Sequence, residues 1–475
     1  MTRTPTLRAA LACLLLVPGS VLPGAVTAQS AVSRDDQADA IVRRALETGP
    51  YPGISVSIEQ HGKVVYQRGF GFADLERKIP VTPQTRFPIG SITKSFTCLS
   101  VMQLTAAGAI GLNKTVGDYL PNLAAPARTV KVHELLNHTS GIPNYTDLPD
   151  FPLSKSVGMS RNEVVRYFAS KPLLFKPGTM FNYSNSDTYL LGLIIEKISR
   201  KSYDSYVRTH VLEPFGMTRS AFDARDDGAT DRARGYEHAN DGFKRSLPYD
   251  FEIPFSAGAL VSTTPDLLRY RRGVFGPLTS SKVRDLVLTQ SPMADGTPNP
   301  YALGCLVETN MEGHRKITHS GEVFGFAADY AYYPDDDLTI AIATNSQNAA
   351  FPPISIEHKL ARLFLGLPPL KPVDAPVPAD LSAMLAGDYQ VGSFRMGFER
   401  LGFVFKHGIL NASFGGLGSG APLLPLRYQG EGHFLSSTDD EESFDFTRRA
   451  DGSVDMVLHF YEGAIRARKP VPSTE

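Results

Sequence analysis

Ser91 and Lys94 form the one Ser-x-x-Lys spacing in a chain of 475 residues. They lie in Phe87-Pro88-Ile89-Gly90-Ser91-Ile92-Thr93-Lys94-Ser95-Phe96. Phe96, Leu99, Met102 and Leu104 then recur near helical period, with Gly108 as a suitable stop. Residues three apart on a helix share a face, so the Lys94 nitrogen can reach the Ser91 hydroxyl. Ser91 would also stand at the helix N-terminus, where free N–H groups and the dipole favour an alkoxide or a carbonyl oxyanion. Such a pair suits nucleophilic attack on a carbonyl with the lysine moving the proton. The same two residues also fit a capping serine beside a solvated lysine, so the decision falls to their partners.

Two further groups carry polar chemistry in fitting contexts. Tyr183-Ser184-Asn185 follows the turn Lys176-Pro177-Gly178 and precedes a helical pattern from Asp187. Residues two apart in extended backbone point the same way, so a phenol and an amide can face one cavity. A tyrosinate beside Lys94 could take the Ser91 proton, because an adjacent ammonium lowers a phenol pKa. Asn185 can donate to a substrate carbonyl and accept from Lys94. A buried tyrosine and a capping asparagine are the structural alternatives. His319-Ser320-Gly321 comes just before an apolar strand pattern. A glycine there lets a ligand approach the backbone, and a turn with a solvent-facing histidine is the alternative.

The elements that must position these residues can be read from periodicity. Residues 54–66 alternate on both sides of Gly62 and read as a β-hairpin. A second hairpin runs from 326 to 343 through Pro334-Asp335-Asp336-Asp337. The segment between them is mostly helical, with Leu190, Leu191, Ile194, Ile195 and Ile198 on one face of 187–199. Strands at both ends with helices between imply an α+β fold, an antiparallel sheet of N- and C-terminal strands with helices on both sides. Residues 367–378 form a proline-rich linker. Residues 379–475 read as a small all-β barrel or sandwich.

The 48 Lys and Arg against 49 Asp and Glu leave a net charge of −1, with no basic surplus for nucleic acid. Residues 1–28 read as an export signal with Arg3 and Arg8, a short apolar run and Val26-Thr27-Ala28 for cleavage. That run is too short to span a bilayer, so a periplasmic or extracellular protein without stable membrane insertion is expected. Cys13 would leave with the signal. Cys98 and Cys305 are read as two buried, unpaired thiols, although export would permit a disulfide.

The three motifs in this order resemble the serine β-lactamase-like superfamily, which includes class C β-lactamases, D-alanyl-D-alanine carboxypeptidases, related penicillin-binding proteins and esterases. The likeness extends through 85–94, 135–142, 175–185 and 258–263, and covers roughly 35–365. It implies a hydrolase domain over 29–366. It also implies that Ser91 forms an acyl-enzyme and that Lys94 and Tyr183 share proton transfer. Asn185 would orient the substrate and Lys94, the N–H groups of Ser91 and Glu322 would bind the oxyanion, and His319, Ser320 and Gly321 would meet the substrate. It implies no cofactor and no metal. The substrate would be a small molecule or peptide (ester, D-amino-acid peptide or β-lactam), and the oligomeric state is open. A catalytically silent cell-wall- or ligand-binding protein is the alternative on the same fold.

His319 departs from the lysine of many β-lactamases and favours a carboxypeptidase or esterase. If it held an anionic group as a cation, activity on carboxylate substrates would fall from pH 6 to 8. Cys305 is expected where relatives often carry an aromatic residue, leaving the pocket edge more open. A metallohydrolase is disfavoured because His133 and His138 are five apart rather than four. An α/β-hydrolase is disfavoured because no Gly-x-Ser-x-Gly occurs.

Overall fold

The computed structural model describes residues 32–49, 51–152, 158–222, 229–239, 242–246, 250, 252–347, 352–395, 398–438, 442–460 and 463–471. The export segment 1–28 and its Cys13 lie outside them. Parts of 144–159 and 222–255 do so as well.

The hairpin at 54–66 forms strands Gly53–Gln60 and Lys63–Asp74, and the second hairpin forms Phe326–Tyr333 and Leu338–Thr344. Gly53–Gln60 pairs antiparallel with Leu338–Thr344, Ile54 opposite Thr344 and Gln60 opposite Leu338. The first and last thirds of residues 29–366 thus meet in one antiparallel sheet of eight strands. His314–Val323 and Leu306–Met311 extend it on the far side. Helices Arg34–Thr48 and Pro353–Leu365 cover one face, packing Ala38, Val42, Ile356 and Leu360 against Ile54, Val56 and Ile340. Helix Thr264–Phe275 lies against Gly53–Gln60 and Leu338–Thr344 from the other face. Removing these aliphatic faces from water is the main stabilising term.

The helix after Ser91 runs Thr93–Ala106. Its periodicity suggested one apolar face, yet every residue from Thr93 to Met102 is buried. It is a central helix whose polar side chains between Thr93 and Ser100 are bonded internally. Ser100 Oγ donates to Phe96 O at 2.8 Å, and Thr97 Oγ1 donates to Ser256 O at 2.7 Å.

Residues 367–378 carry no regular structure, and the linker is tied to the barrel: Val373 N–H donates to Gln429 Oε1 at 2.7 Å. The C-terminal part closes as an eight-stranded barrel, Gly387–Val391 through Gly463–Lys469, sealed where Gln390 pairs with Arg468. Tyr389, Phe403, Phe434, Phe444 and Met456 fill its interior. Among the described residues no helix is long and apolar enough to cross a membrane.

Two cysteine expectations are corrected. Cys98 and Cys305 form a disulfide, their Cα atoms 5.7 Å apart across a sequence separation of 207. Cys305 lies in the tight turn between Tyr301–Ala302 and Leu306–Met311, at φ +52°, rather than in a strand. That turn lays it on the helix one turn beyond Lys94. Fully buried there, Cys305 does not shape the pocket edge.

Candidate active site

The turn that carries Ser91 is built by close backbone approach. Gly90–Ile92 forms a 3-10 turn leading into the central helix. Phe87–Pro88 pairs with Val261–Ser262, and Ile89 N–H donates to Leu260 O at 3.0 Å. On the other side the strand His314–Val323 presses against the turn. A Cβ on Gly321 would stand 2.1 Å from Ile89 O and 2.8 Å from Ser91 N. Gly90, at φ +51°, likewise has no room, since a Cβ there would meet Glu322 N at 2.6 Å. Two glycines therefore let the Ser91 and Glu322 amides come together, the arrangement an oxyanion hole needs.

Ser91 is partly exposed whereas Lys94 is fully buried. Lys94 Nζ donates to Ser91 Oγ at 2.9 Å, to Asn185 Oδ1 at 2.8 Å and to Ala257 O at 2.8 Å. Asn185 Oδ1 and Ala257 O can only accept, so they hold two of the nitrogen's hydrogens. Its third direction faces Ser91 Oγ. As an ammonium, Lys94 donates along that line; as an amine it presents its lone pair there and accepts the serine proton. Asn185 is itself fixed, with Nδ2 donating to Thr146 Oγ1 at 3.2 Å and its backbone N–H to Asn144 Oδ1 at 3.0 Å. It begins helix Asn185–Ser199. Tyr183 lies one side chain away: Lys94 Nζ sits 4.8 Å from its ring centroid.

The structure therefore brings Ser91, Lys94, Tyr183 and Asn185 to one place, with Gly321 and Glu322 against the turn that carries Ser91. His319 differs from expectation. It is 1% exposed. Its Nδ1 lies 2.5 Å from Ser320 O, an atom that can only accept, so Nδ1 carries the hydrogen. Nε2 then accepts from Tyr301 Oη at 2.8 Å. Burial, followed by the neighbouring Lys94, lowers the His319 pKa to about 3. Such a shift favours the neutral imidazole through pH 6 to 8, so burial argues against His319 holding an anionic group by charge.

Several residues had no place in this site from sequence, and His138 was weighed only as a metal ligand beside His133. His138 and Asp187 are both fully buried, His138 Nδ1 lying 3.0 Å from Asp187 Oδ2, while Ser140 Oγ donates to Asp187 Oδ1 at 2.5 Å. Burial holds the His138 pKa well below its usual value, with Lys94 and His319 adding to it. Burial raises the Asp187 carboxyl well above its usual range, against the hydrogen bond from Ser140. His138 stacks beside Tyr183 and Tyr301, with centroids at 4.6 and 4.8 Å. Its signal was available: Asn137-His138-Thr139-Ser140 is a polar run between Leu136 and Ile142, which a core tolerates only when it is bonded. Ala257 had none, because it acts through its carbonyl. Among the described residues no three or more His, Cys, Asp or Glu side chains are grouped to hold a metal ion.

A family model described as Beta-lactamase matches residues 38–362. Protein flp of Staphylococcus aureus (strain MW2) is 31% identical over 332 residues, 68% of this chain and 65% of that protein. The chain thus spans just under two thirds of the length of this curated relative. A D-aminopeptidase of Gluconobacter oxydans (strain 621H) is 28% identical over 305 residues, 63% of this chain and 57% of its own. The octameric penicillin-binding protein homologue from Pyrococcus abyssi has a TM-score of 0.64 at 26% identity, covering 92% of this chain and 100% of its own. The D-amino acid amidase from Ochrobactrum anthropi SV3 has a TM-score of 0.61 at 21% identity, over 70% of this chain and 99% of its own, a likeness of fold alone.

Proposed function

This chain belongs to the Beta-lactamase family, and from that premise we propose that it is an exported serine hydrolase cleaving amides or esters through an acyl-enzyme on Ser91. The observation that carries the reading is the Lys94 nitrogen, held by Asn185 Oδ1 and Ala257 O with its remaining direction on Ser91 Oγ at 2.9 Å. Lys94, as the amine, takes the serine proton as Ser91 Oγ attacks the substrate carbonyl. The developing oxyanion receives the N–H groups of Ser91 and Glu322. Tyr183, beside Lys94, passes the proton to the leaving nitrogen or oxygen, and the bond to the leaving group breaks. Water then attacks the acyl-serine, giving its proton to the same Lys94–Tyr183 pair, which returns it to Ser91 Oγ as the ester bond breaks and the acid leaves.

Amides and short peptides of D-amino acids are the favoured substrates. The similarity to a D-aminopeptidase and the shared fold of a D-amino acid amidase support this choice. A neutral His319 where many β-lactamases carry a lysine supports a peptidase or esterase over a dedicated β-lactamase. Residues 29–366 are the hydrolase domain, 367–378 the linker and 379–475 the barrel domain.

The test is a hydrolysis screen of the purified protein over D- and L-amino acid amides, short acyl esters and a cephalosporin. Turnover of D-amides or esters that disappears in Ser91→Ala is the expected result. No turnover of any member would leave the silent binding protein as the better reading, and turnover unchanged in Ser91→Ala would place the nucleophile elsewhere.

A further inference from the structure

We propose that Phe394 of the C-terminal barrel is a positioning residue for Tyr183, so that the barrel domain completes the active site of the hydrolase domain. Between the barrel strands Gly387–Val391 and Arg400–Lys406 the chain leaves the barrel wall and forms a short strand, Phe394–Arg395. This strand pairs in parallel with Phe181–Asn182, Phe394 opposite Phe181. Phe181 N–H donates to Ser393 O at 2.9 Å. The residue after Phe181–Asn182 is Tyr183.

The side chains continue the connection. Phe394 is 6% exposed and stacks on Phe181, with centroids 4.4 Å apart and an interplanar angle of 19°. Phe181 in turn meets His138 and Tyr301, at 6.0 and 5.8 Å. Those two rings flank Tyr183, and Lys94 lies over the Tyr183 face. An unbroken set of rings thus runs from the barrel to the proton-transfer pair.

The backbone shows why bracing is needed. Tyr183 emerges from a strand of two residues, too short to be rigid alone. One side of that strand is held by His138, whose carbonyl accepts from Asn182 N–H at 2.9 Å. The other side is held by the barrel segment. Without Phe394, Phe181 loses its stacking partner, and the phenol of Tyr183 can drift from the line between Lys94 and the leaving group. A misplacement of about 1 Å costs on the order of 100-fold in rate. A purely architectural contact between domains would lower stability and leave the chemical step alone.

The inference rests on the acyl-enzyme reading, and the test separates the two. A fluorophosphonate is reacted with the full-length protein, and its maximal labelling rate (kinact) is resolved from its binding constant (KI). Phe394→Ala is expected to lower kinact about 10- to 100-fold with KI within about twofold of wild type. Phe394→Leu, which keeps most of the volume and folds most readily, should lose about threefold and recover most of the rate. Phe434→Leu, in the barrel interior away from the interface, should lower Tm yet keep kinact within about twofold. Wild-type kinact in both Phe394 variants, or a loss in Phe434→Leu matching theirs, overturns the positioning role. A wild-type protein that takes no label overturns the acyl-enzyme reading itself, and the positioning role with it.

Discussion

Tyr301 Oη donates to His319 Nε2 at 2.8 Å, and this bond fixes what the histidine can do. With Nδ1–H on Ser320 O, both ring nitrogens are engaged in the neutral tautomer. Protonating Nε2 would reverse the Tyr301 bond, with Oη accepting, and would place a second charge beside Lys94 in a buried site. Between pH 6 and 8 the profiles of kcat/KM for carboxylate-bearing and neutral esters should therefore run parallel. A selective loss on carboxylate substrates across that range would show a charged His319. The same burial has a stability consequence with a definite sign. The unfolded histidine binds a proton below about pH 6.5, while the folded one stays neutral to about pH 3. Stability from this group is thus complete above pH 6.5 and falls as pH drops, by about 1.4 kcal/mol per unit once well below it. His319→Gln should flatten the acid limb of a Tm–pH curve by roughly that slope; an unchanged limb would contradict it.

Lys94→Met should lower acylation about 100- to 10,000-fold, the usual range for loss of a general base. Lys94→Arg should fare no better, because a guanidinium has no lone pair to turn toward Ser91 Oγ at neutral pH. Stopped-flow acylation by an activated ester checks both. Restoration by arginine would assign the base elsewhere and leave Lys94 as a simple cation.

Gly321→Ala should fold and lose activity. Its Cβ would intrude on Ile89 O and Ser91 N, both backbone atoms of the nucleophile turn. Displacing that turn misaligns the oxyanion donors, a loss of roughly 100- to 1,000-fold in kcat. Near-wild-type kcat with unchanged circular dichroism would mean that the Ser91 and Glu322 amides do not act on the oxyanion.

The disulfide Cys98–Cys305 ties the helix behind Lys94 to the turn beside Tyr301. Closing so long a loop stabilises by about 5 kcal/mol in chain-entropy terms. A Cys98→Ala/Cys305→Ala double variant should melt roughly 5 °C or more below wild type in non-reducing buffer. Thiol alkylation before and after reduction should count zero and then two labelled cysteines among Cys98 and Cys305. Free thiols in the unreduced protein would contradict the pairing.

The legible part of the site was the part encoded in side-chain types at short spacing. Ser91 and Lys94 sit one helical turn apart, and Tyr183 and Asn185 share one extended stretch. The hairpins at both ends were equally readable, because alternation and turn residues are local. What escaped reading depends on tertiary register. The cysteine pair joins positions 207 apart, so neither local pattern held a trace of the other. Ala257 contributes a carbonyl, and any residue would supply one. His319 was identified, but burial and Lys94 lower its pKa, an effect its neighbours in sequence do not show. The contact of Phe394 with Phe181 likewise depends on tertiary packing, between segments more than 200 residues apart.

The acyl-enzyme on Ser91 is tested most directly by trapping. The purified protein is treated with a fluorophosphonate, digested, and mapped by mass spectrometry. A single adduct on the peptide carrying Ser91, absent in Ser91→Ala, is the expected result. An adduct on another residue, or equal labelling of wild type and Ser91→Ala, would contradict Ser91 as the nucleophile.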